Sequence, residues 1–163
     1  MRISIVVAMT PQGLIAAGGR LPWHMPEDLR HFRRLTTGHT VLMGRKTYDT
    51  LRRPLPRRRN IVLSRRGLPD STGVEVFADL RTAIAAAQAA GETELFIIGG
   101  AEIYALALPF TQRMVVTFVH IQEPPPDTET LTWFPSWNRQ EWRQVEQLNH
   151  PPLEFVTLER VAF

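Results

Sequence analysis

The sequence predicts an α/β fold with a mostly parallel central sheet of about eight strands, about four flanking helices and an antiparallel C-terminal edge. Short apolar runs alternate along the chain with segments of helical periodicity, which is typical of a parallel sheet covered on both faces. Residues 141–161 alternate between apolar and polar without a helix, which predicts an antiparallel pair. The length of 163 residues is usual for one domain, so we expect a single domain over residues 1–163.

The N-terminal part of the chain predicts a strand, a loop and a helix. Residues 3–9 form a near-continuous apolar run, which is typical of a strand buried on both faces. Residues 10–24 are rich in Gly, Ala and Pro, and a loop of this length in a compact domain is usually functional. Pro26 begins a helix with an acidic first turn and a basic last turn, and we expect Gly38 to end it.

Further strands and helices follow from short apolar runs and from residues that favour helix ends. Asp79 is expected to cap an alanine-rich helix, and Gly91 is expected to end it. Gly99 and Gly100 lead from a buried strand into another helix. The expected strands lie at residues 40–43, 60–63, 74–77, 95–98 and 115–120, and the expected helices at 45–51, 80–90 and 101–108.

The composition narrows the possible functions. Hydrophobic residues make up 44% of the chain and charged residues 21%, so the chain can bury a core and is not a disordered tail. The lack of cysteine excludes disulfides, cysteine-ligated metals and a cysteine nucleophile. No apolar stretch reaches the ~18 residues of a membrane span, and the apolar run at residues 3–9 is too short for a signal peptide. We therefore expect a cytoplasmic protein that does not interact with membranes.

Three segments that follow predicted strands are suited to binding anions: Gly44-Arg45-Lys46-Thr47, Leu63-Ser64-Arg65-Arg66 and Ile98-Gly99-Gly100-Ala101. Backbone N–H groups at helix starts, guanidinium groups and glycines that allow close approach all favour phosphate. For the first segment alone, a solvated helix start is an equally good interpretation. Because the carboxyl ends of parallel strands meet at one edge, the three together predict a dinucleotide. The additional arginines favour a form with a 2′-phosphate.

An acid on an apolar helix face is the main candidate for chemistry. Asp28 shares a face with Phe32 and Leu35, where a carboxylate without a partner is costly. Either the helix dipole stabilises it as a first-turn residue, or it is a buried acid that binds a cationic, planar ligand. The histidines have no metal-binding spacing, so we expect no metal site and assign structural or surface roles to His24, His31, His39, His120 and His150.

Four segments in this order and spacing resemble the dihydrofolate reductases, in particular the bacterial chromosomal type. They are Leu21-Pro22-Trp23-His24-Met25-Pro26-Glu27-Asp28-Leu29-Arg30-His31-Phe32 and the segments 41–47, 53–65 and 96–104. The resemblance covers essentially the whole chain and implies NADPH-dependent reduction of 7,8-dihydrofolate to tetrahydrofolate for one-carbon metabolism and nucleotide synthesis. It also implies a monomer that binds dihydrofolate and antifolate inhibitors.

The resemblance further implies the roles of individual residues. Asp28 binds the 2-amino group and N3 of the pterin and supports protonation at N5, Thr117 supports Asp28 by a hydrogen bond, and Trp23 holds an ordered water. Arg58 binds the α-carboxylate of the substrate. The residues implied for substrate binding are Val6, Ala8, Leu29, Phe32, Arg33, Leu51, Arg53, Leu55 and Arg58. Those implied for the cofactor are Ala8, Leu14, Ile15, Gly18, Gly19, Arg20, Leu21, Gly44, Arg45, Lys46, Thr47, Leu63, Ser64, Arg65, Ile98, Gly99, Gly100, Ala101, Glu102, Ile103 and Tyr104, with a cis peptide at Gly99-Gly100.

The chain departs from the family pattern at three places. Ala16 stands where a glycine is usual, Glu102 stands where some members have a basic residue, and the late loop at residues 124–135 contains extra residues. Two other functions are weighed against the resemblance. A pyrimidine-dione reductase of the riboflavin pathway shares the architecture but does not need Trp23, Asp28 and Arg58 together. A nucleic-acid surface at residues 52–66 predicts aromatic residues among the arginines, and that segment has none.

Overall fold

The structure is a computed structural model that describes residues 1–19, 23–68, 73–122 and 130–161. Its strands are β1 (Arg2–Met9), β2 (Leu14–Ala17), β3 (Thr40–Gly44), β4 (Arg59–Leu63), β5 (Val74–Phe77), β6 (Glu94–Gly99), β7 (Arg113–Val119), β8 (Leu131–Trp133), β9 (Trp142–His150) and β10 (Leu153–Arg160). Its α-helices are α1 (Pro26–Thr36), α2 (Arg45–Leu51), α3 (Leu80–Ala89) and α4 (Ala101–Ala107). Two short 3-10 helices lie at Leu108–Phe110 and Arg139–Glu141.

Eight strands form the central sheet, in the order β5-β4-β3-β6-β1-β7-β10-β9. The first six strands in this order, β5-β4-β3-β6-β1-β7, pair in parallel. Strand β10 pairs antiparallel with both β7 and β9. This arrangement confirms the predicted fold class. Every helix in the described part of the chain is too short or too polar to cross a lipid bilayer.

A second, two-stranded sheet corrects the expectation that residues 10–24 are loop throughout. Strand β2 lies within that segment and pairs antiparallel with β8, more than 100 residues later in the chain. Leu14, Ile15 and Ala17 are buried, so the segment is ordered by packing and by the pairing with β8. Local composition carries no signal for a partner so distant, which is why the sequence suggested only a loop.

The ends of the helices follow the expected chemistry to within one or two residues. The Asp79 carboxylate accepts a hydrogen bond of 2.8 Å from the N–H of Thr82 and so caps α3. Helix α1 ends at Thr36, two residues earlier than expected, and Gly38 adopts a φ of +86° in the turn that follows. The positive φ explains why a glycine stands there.

The sheet has a packed cluster on each face. The larger cluster includes residues of α3 and α4, whereas the smaller cluster brings Phe32 and Leu35 of α1 against Val6, Val41 and Phe96 of the sheet. Within α1 only Thr36 is fully buried. Because α1 is incompletely covered, its sheet-facing side borders a cleft, and the first turn of α1 carries Asp28.

Candidate active site

Asp28 lies in the first turn of α1 and faces β7. The hydroxyl of Thr117, which is 3% exposed on β7, donates a hydrogen bond to the Asp28 carboxylate. Burial raises the pKa of Asp28 above its ordinary value, and the hydrogen bond from Thr117 lowers it by a smaller amount. Asp28 is therefore partly buried and not a fully solvated first-turn residue. A carboxyl group in this state holds a proton more readily than an exposed one.

A small pocket adjoins this carboxyl group and is lined by Trp23, His24, Met25, Asp28 and Leu29. The Nε1 atom of Trp23 is buried and has no hydrogen-bond partner in the part of the chain that the structure describes. A buried indole N–H normally has a partner, so this donor is available to a water or a ligand beside Asp28. Leu29 is 50% exposed, which leaves the pocket open on one side.

An apolar wall continues from the pocket along the cleft. Phe32, Leu51 and Leu55 pack around Val6 in the smaller core cluster, and Ala8 is the register partner of Thr117. The wall therefore begins next to the Asp28–Thr117 contact and extends towards the loop before β4. A flat, apolar ligand that enters at Asp28 can lie along it.

A guanidinium group stands at the far end of the wall. Arg58 donates hydrogen bonds to the carbonyl of Pro56 at 2.9 Å and to the hydroxyl of Thr36 at 3.0 Å, and its guanidinium carbon lies 5.9 Å from the centre of the Phe32 ring. Burial, Arg33 and Arg57 lower the pKa of Arg58. Within residues 1–19, 23–68, 73–122 and 130–161, no acidic side chain pairs with Arg58. The position is therefore suited to an anionic group of a ligand.

Two residues that support this end of the wall carry no signal in the sequence. Thr36 accepts the bond from Arg58, and Asn60 is 2% exposed and bonds both the N–H and the carbonyl of Leu55 at 2.9 Å. Asn60 also donates to the Arg58 carbonyl. These contacts fix the loop that carries Leu55 and Arg58. Arg53, which was expected nearby, is exposed, and no contact among the described residues joins it to this group.

The predicted anion-binding segments meet at one edge of the sheet. Strands β3 and β6 are neighbours, and Met43 is the register partner of Gly99, so helices α2 and α4 begin side by side. No side chain caps either helix start. A Cβ atom on Gly44 would lie 2.9 Å from Cγ1 of Ile103, so only glycine permits this close approach. The peptide bond between Gly99 and Gly100 is cis.

Cations lie along the same edge. Arg45 and Lys46 are exposed at the start of α2, and Gly44 is the register partner of Leu63, so Ser64 and Arg65 follow on the next strand. Ser64 already donates its hydroxyl to the carbonyl of Gly67 at 3.1 Å, which leaves the exposed Arg65 as the main donor there. Uncapped helix starts together with these cations fit a diphosphate and a phosphate monoester, and hence a phosphorylated dinucleotide.

Tyr104 connects the two halves of the cleft. Its hydroxyl donates a hydrogen bond of 2.8 Å to the carbonyl of Val6, and its ring lies within 3.3 Å of the position that a Cβ on Gly99 would occupy. Burial and the nearby charge of Asp28 raise the pKa of Tyr104, so its phenol remains protonated.

The other predicted cofactor residues surround the same region or lie outside the described chain. Leu14, Ile15 and Ile103 are buried, Thr47, Ile98 and Ala101 are partly buried, and Gly18, Gly19 and Glu102 are exposed. Arg20 and Leu21 fall outside the described residues, as does most of the late loop, at residues 124–129.

Comparison with known proteins gives one consistent family. Residues 2–160 match the family model described as dihydrofolate reductase. The chain is 39% identical over 167 residues to dihydrofolate reductase type 3 of Salmonella typhimurium, with 98% of this chain and 99% of that protein covered. It is 44% identical over 125 residues to dihydrofolate reductase of Mycobacterium tuberculosis, with 75% of this chain and 74% of that protein covered. It is also similar to the solved structure of dihydrofolate reductase from Enterococcus faecalis complexed with NADP(H) and RAB-propyl, with a TM-score of 0.86, 27% identity and 99% and 97% of the two chains covered.

Proposed function

The chain belongs to the dihydrofolate reductase family, and we propose that Asp28 is the residue on which its reaction depends. The enzyme reduces 7,8-dihydrofolate to tetrahydrofolate, and NADPH, when bound, supplies the hydride that is transferred to C6 of the pterin. The observation that carries the proposal for Asp28 is a partly buried carboxyl group in an apolar cleft, with a raised pKa and a hydrogen bond from Thr117.

Asp28 binds the pterin and biases its protonation. Its carboxylate accepts hydrogen bonds from the 2-amino group and N3 of the pterin, and its raised pKa supports protonation at N5. Thr117 fixes the orientation of the carboxylate, and the buried N–H of Trp23 holds a water beside the pterin. The apolar residues of the cleft exclude other water from the reacting atoms. These residues are Val6, Ala8, Leu29, Phe32, Leu51 and Leu55.

Separate groups of cations hold the two ligands. Arg58, which Thr36 and Pro56 position, binds the α-carboxylate of dihydrofolate, and Arg33 and Arg53 add positive charge. Antifolates bind in the same cleft. At the other edge, the N–H groups at the starts of α2 and α4 bind the diphosphate of NADPH together with Arg45, Lys46 and Thr47, and Ser64 and Arg65 bind its 2′-phosphate.

The cofactor assignment is tested by replacing Arg65. Absorbance at 340 nm should fall when the enzyme is mixed with NADPH and dihydrofolate. Since a charge-assisted bond contributes ~1.5–3 kcal/mol, Arg65→Ala should raise the KM for NADPH about 10- to 100-fold and change the KM for NADH little. Arg143→Ala, which removes an exposed charge on β9, is the matched control. Equal changes in both KM values for Arg65→Ala would contradict the assignment to the 2′-phosphate.

The substrate assignment is tested by replacing Arg58. Arg58→Leu should weaken dihydrofolate binding by ~2–3 kcal/mol, measured by fluorescence titration, because a carboxylate loses its charged partner. Arg143→Leu removes an exposed arginine on β9, away from this group, and should have little effect. A pterin without the benzoylglutamate tail should bind the Arg58→Leu variant and the wild type equally. If the tail-less pterin also binds more weakly, Arg58 has a structural role and not a recognition role.

We also propose that residues 1–163 act as one cytoplasmic domain and as a monomer. Among the described residues, the large apolar side chains that are exposed are scattered, and only Val145 and Leu148 share an element, β9. These residues are Leu29, Leu106, Trp133, Val145, Leu148 and Val161. Scattered single residues of this kind are normal on a monomer surface. Sedimentation velocity should therefore give the 18.6 kDa mass of one chain.

A further inference from the structure

Two adjacent contacts join the start of α1 to the sheet. Asp28 and His31 are three residues apart on α1 and so share a face. Beneath them, Thr117 of β7 and Phe155 of β10 are direct cross-strand partners. The Asp28 carboxylate accepts a hydrogen bond from Thr117. The ring of His31 lies against the ring of Phe155, with the ring centroids 4.4 Å apart and the ring planes at 49°. Two residues on one face of α1 therefore contact two paired residues of the sheet.

The packing of α1 makes the second contact important for the first. Only Thr36, at the far end of the helix, is fully buried, and Leu29 is half exposed. In the N-terminal turns, Phe32 packs against the smaller core cluster, and the side of the helix that carries Asp28 and His31 meets the sheet at Thr117 and Phe155. The ring contact between His31 and Phe155 lies one turn from Asp28, so it limits how far the Asp28 carboxylate can move from Thr117.

The imidazole of His31 contacts the sheet through its ring and not through a hydrogen bond from Nε2. Its Nε2 atom is buried and has no hydrogen-bond partner among the residues that the structure describes. Burial lowers the pKa of His31, Arg34 on α1 and Arg113 on β7 lower it further, and Glu146 on β9 raises it. Strand β10 contributes the uncharged Phe155. His31 is therefore neutral at neutral pH, and its protonation would bring a third positive charge close to two arginines.

We propose that His31 is a positioning residue, which holds Asp28 against Thr117 through its tilted ring contact with Phe155. The inference rests on the proposed role of Asp28, because a displaced Asp28 affects the reaction only if Asp28 takes part in it. His31 itself contacts Phe155 and acts through α1.

The test compares His31→Ala, which removes the ring, with His31→Phe, which retains it. The pKa of the Asp28 carboxyl group is followed by carbon NMR in the full chain without ligands. In His31→Ala it should fall towards its ordinary value, because a mobile α1 exposes the carboxyl group to water. The value of kcat/KM for dihydrofolate should fall about tenfold, the upper range for an aromatic contact. In His31→Phe the pKa of Asp28 should stay raised and kcat/KM should lie within about twofold of the wild type. His150→Ala, on an exposed histidine, is the control.

A pH series tests whether the folded protein holds His31 in its neutral form. The folded pKa of His31 lies below the ordinary value of 6.5, so the unfolded chain takes up this proton first as the pH falls below 6.5. The wild type should therefore lose stability on acidification relative to His31→Phe. An Asp28 titration and a kcat/KM that are both unchanged in folded His31→Ala would overturn the proposal. If His31→Ala does not fold, Phe155→Leu replaces it, with the same expected results.

The two proposals can fail separately. If Asp28→Asn keeps full activity at pH 7, the proposed role of Asp28 is wrong, but the carboxyl titration still tests whether His31 positions the group. A double variant with Thr117→Val adds a second criterion. If His31 acts through the Asp28–Thr117 contact, His31→Ala should reduce kcat/KM less in the Thr117→Val background than in the wild type. Fully additive effects would count against the proposal.

Discussion

Two carboxylates at opposite ends of the strands, one buried and one partly buried, differ in how completely the protein compensates them. Glu94 opens β6 and is 9% exposed. It accepts hydrogen bonds from Arg2 at 3.1 and 3.0 Å, from the hydroxyl of Ser4 at 2.6 Å and from Arg113 at 3.2 Å. These partners outweigh burial, so the pKa of Glu94 lies below its ordinary value.

Asp28 has the opposite balance. Burial is again the largest influence on its pKa, but the hydrogen bond from Thr117 offsets only part of it, and the pKa stays raised. Burial alone therefore does not mark a functional acid. At the amino ends of the strands, the fold satisfies a carboxylate with its own cations. In the cleft it leaves a carboxylate with spare hydrogen-bonding capacity, which a ligand can use.

The largest expected effect tests the ligand-binding carboxylate. Asp28→Asn should lower kcat/KM for dihydrofolate about 10²- to 10⁴-fold at neutral pH, because the variant cannot support protonation of the substrate. Activity should recover partly at low pH, where solvent protonates the pterin. Glu27→Gln removes the neighbouring carboxylate and should behave like the wild type. Full activity of Asp28→Asn at pH 7 would show that the uncompensated carboxylate of Asp28 has no part in the reaction.

The next effect tests the compensated carboxylate. Glu94→Gln should lower the free energy of unfolding by ~3 kcal/mol in urea denaturation, because Arg2 and Arg113 lose their partner, while kcat/KM stays near the wild-type value. Glu75→Gln, which breaks the more exposed pair with Arg59, should cost less than ~1 kcal/mol.

The pH dependence of stability sharpens the same test. Because the folded pKa of Glu94 lies below its ordinary value of 4.5, its contribution is present above pH 4.5 and is lost as the pH falls through the folded pKa. Glu94→Gln should therefore show less loss of stability on acidification than the wild type. Equal loss in both proteins would mean that Glu94 is not the stabilising carboxylate we describe.

The smallest effect tests the partial compensation of Asp28. Thr117→Val removes the hydroxyl that favours the ionised form, so the pKa of Asp28 should rise, by an amount equivalent to ~1 kcal/mol. The limb of the kcat/KM profile on which activity falls as the pH rises should move to higher pH, because Asp28 keeps its proton longer. Thr111→Val removes another buried hydroxyl, which donates to the Ala107 carbonyl at 2.8 Å, and should leave that limb in place. A limb that does not move in Thr117→Val would mean that Thr117 does not tune Asp28.

Much of the site could be located from the sequence because its signals are local. The anion-binding segments at Gly44, Ser64 and Gly99 each follow a predicted strand, and the parallel sheet then brings them to one edge. Asp28 was singled out by its place on an apolar helix face. What the sequence left open was its state, since a dipole-stabilised, solvated acid fits the same pattern.

Most of the supporting residues could not be predicted, because their partners come from other parts of the chain. Thr36 meets Arg58 only after α1 has packed beside the loop before β4. Asn60 bonds residues close to it in the sequence, but no motif marks it as the residue that fixes this loop. His31 was expected to be structural or exposed, and nothing near it in the sequence indicates its contact with Phe155, which lies 124 residues later. Strand β2 was missed for the same reason.

From the sequence alone follow the strands and helices of the central sheet, its mostly parallel pairing and the edge at which ligands are expected to bind, but not the small sheet of β2 and β8. Apolar periodicity, helix-end residues and glycines act over a few residues, so their effects can be read without a fold. Only the tertiary structure decided which of the two carboxylates is compensated. Glu94 has three partners because Arg2 and Ser4 of the adjacent strand β1 and Arg113 of β7 lie beside it. Asp28 instead faces Thr117 across an open cleft. The pKa of a carboxyl group depends on the water and charges within a few ångströms of it, and folding sets both.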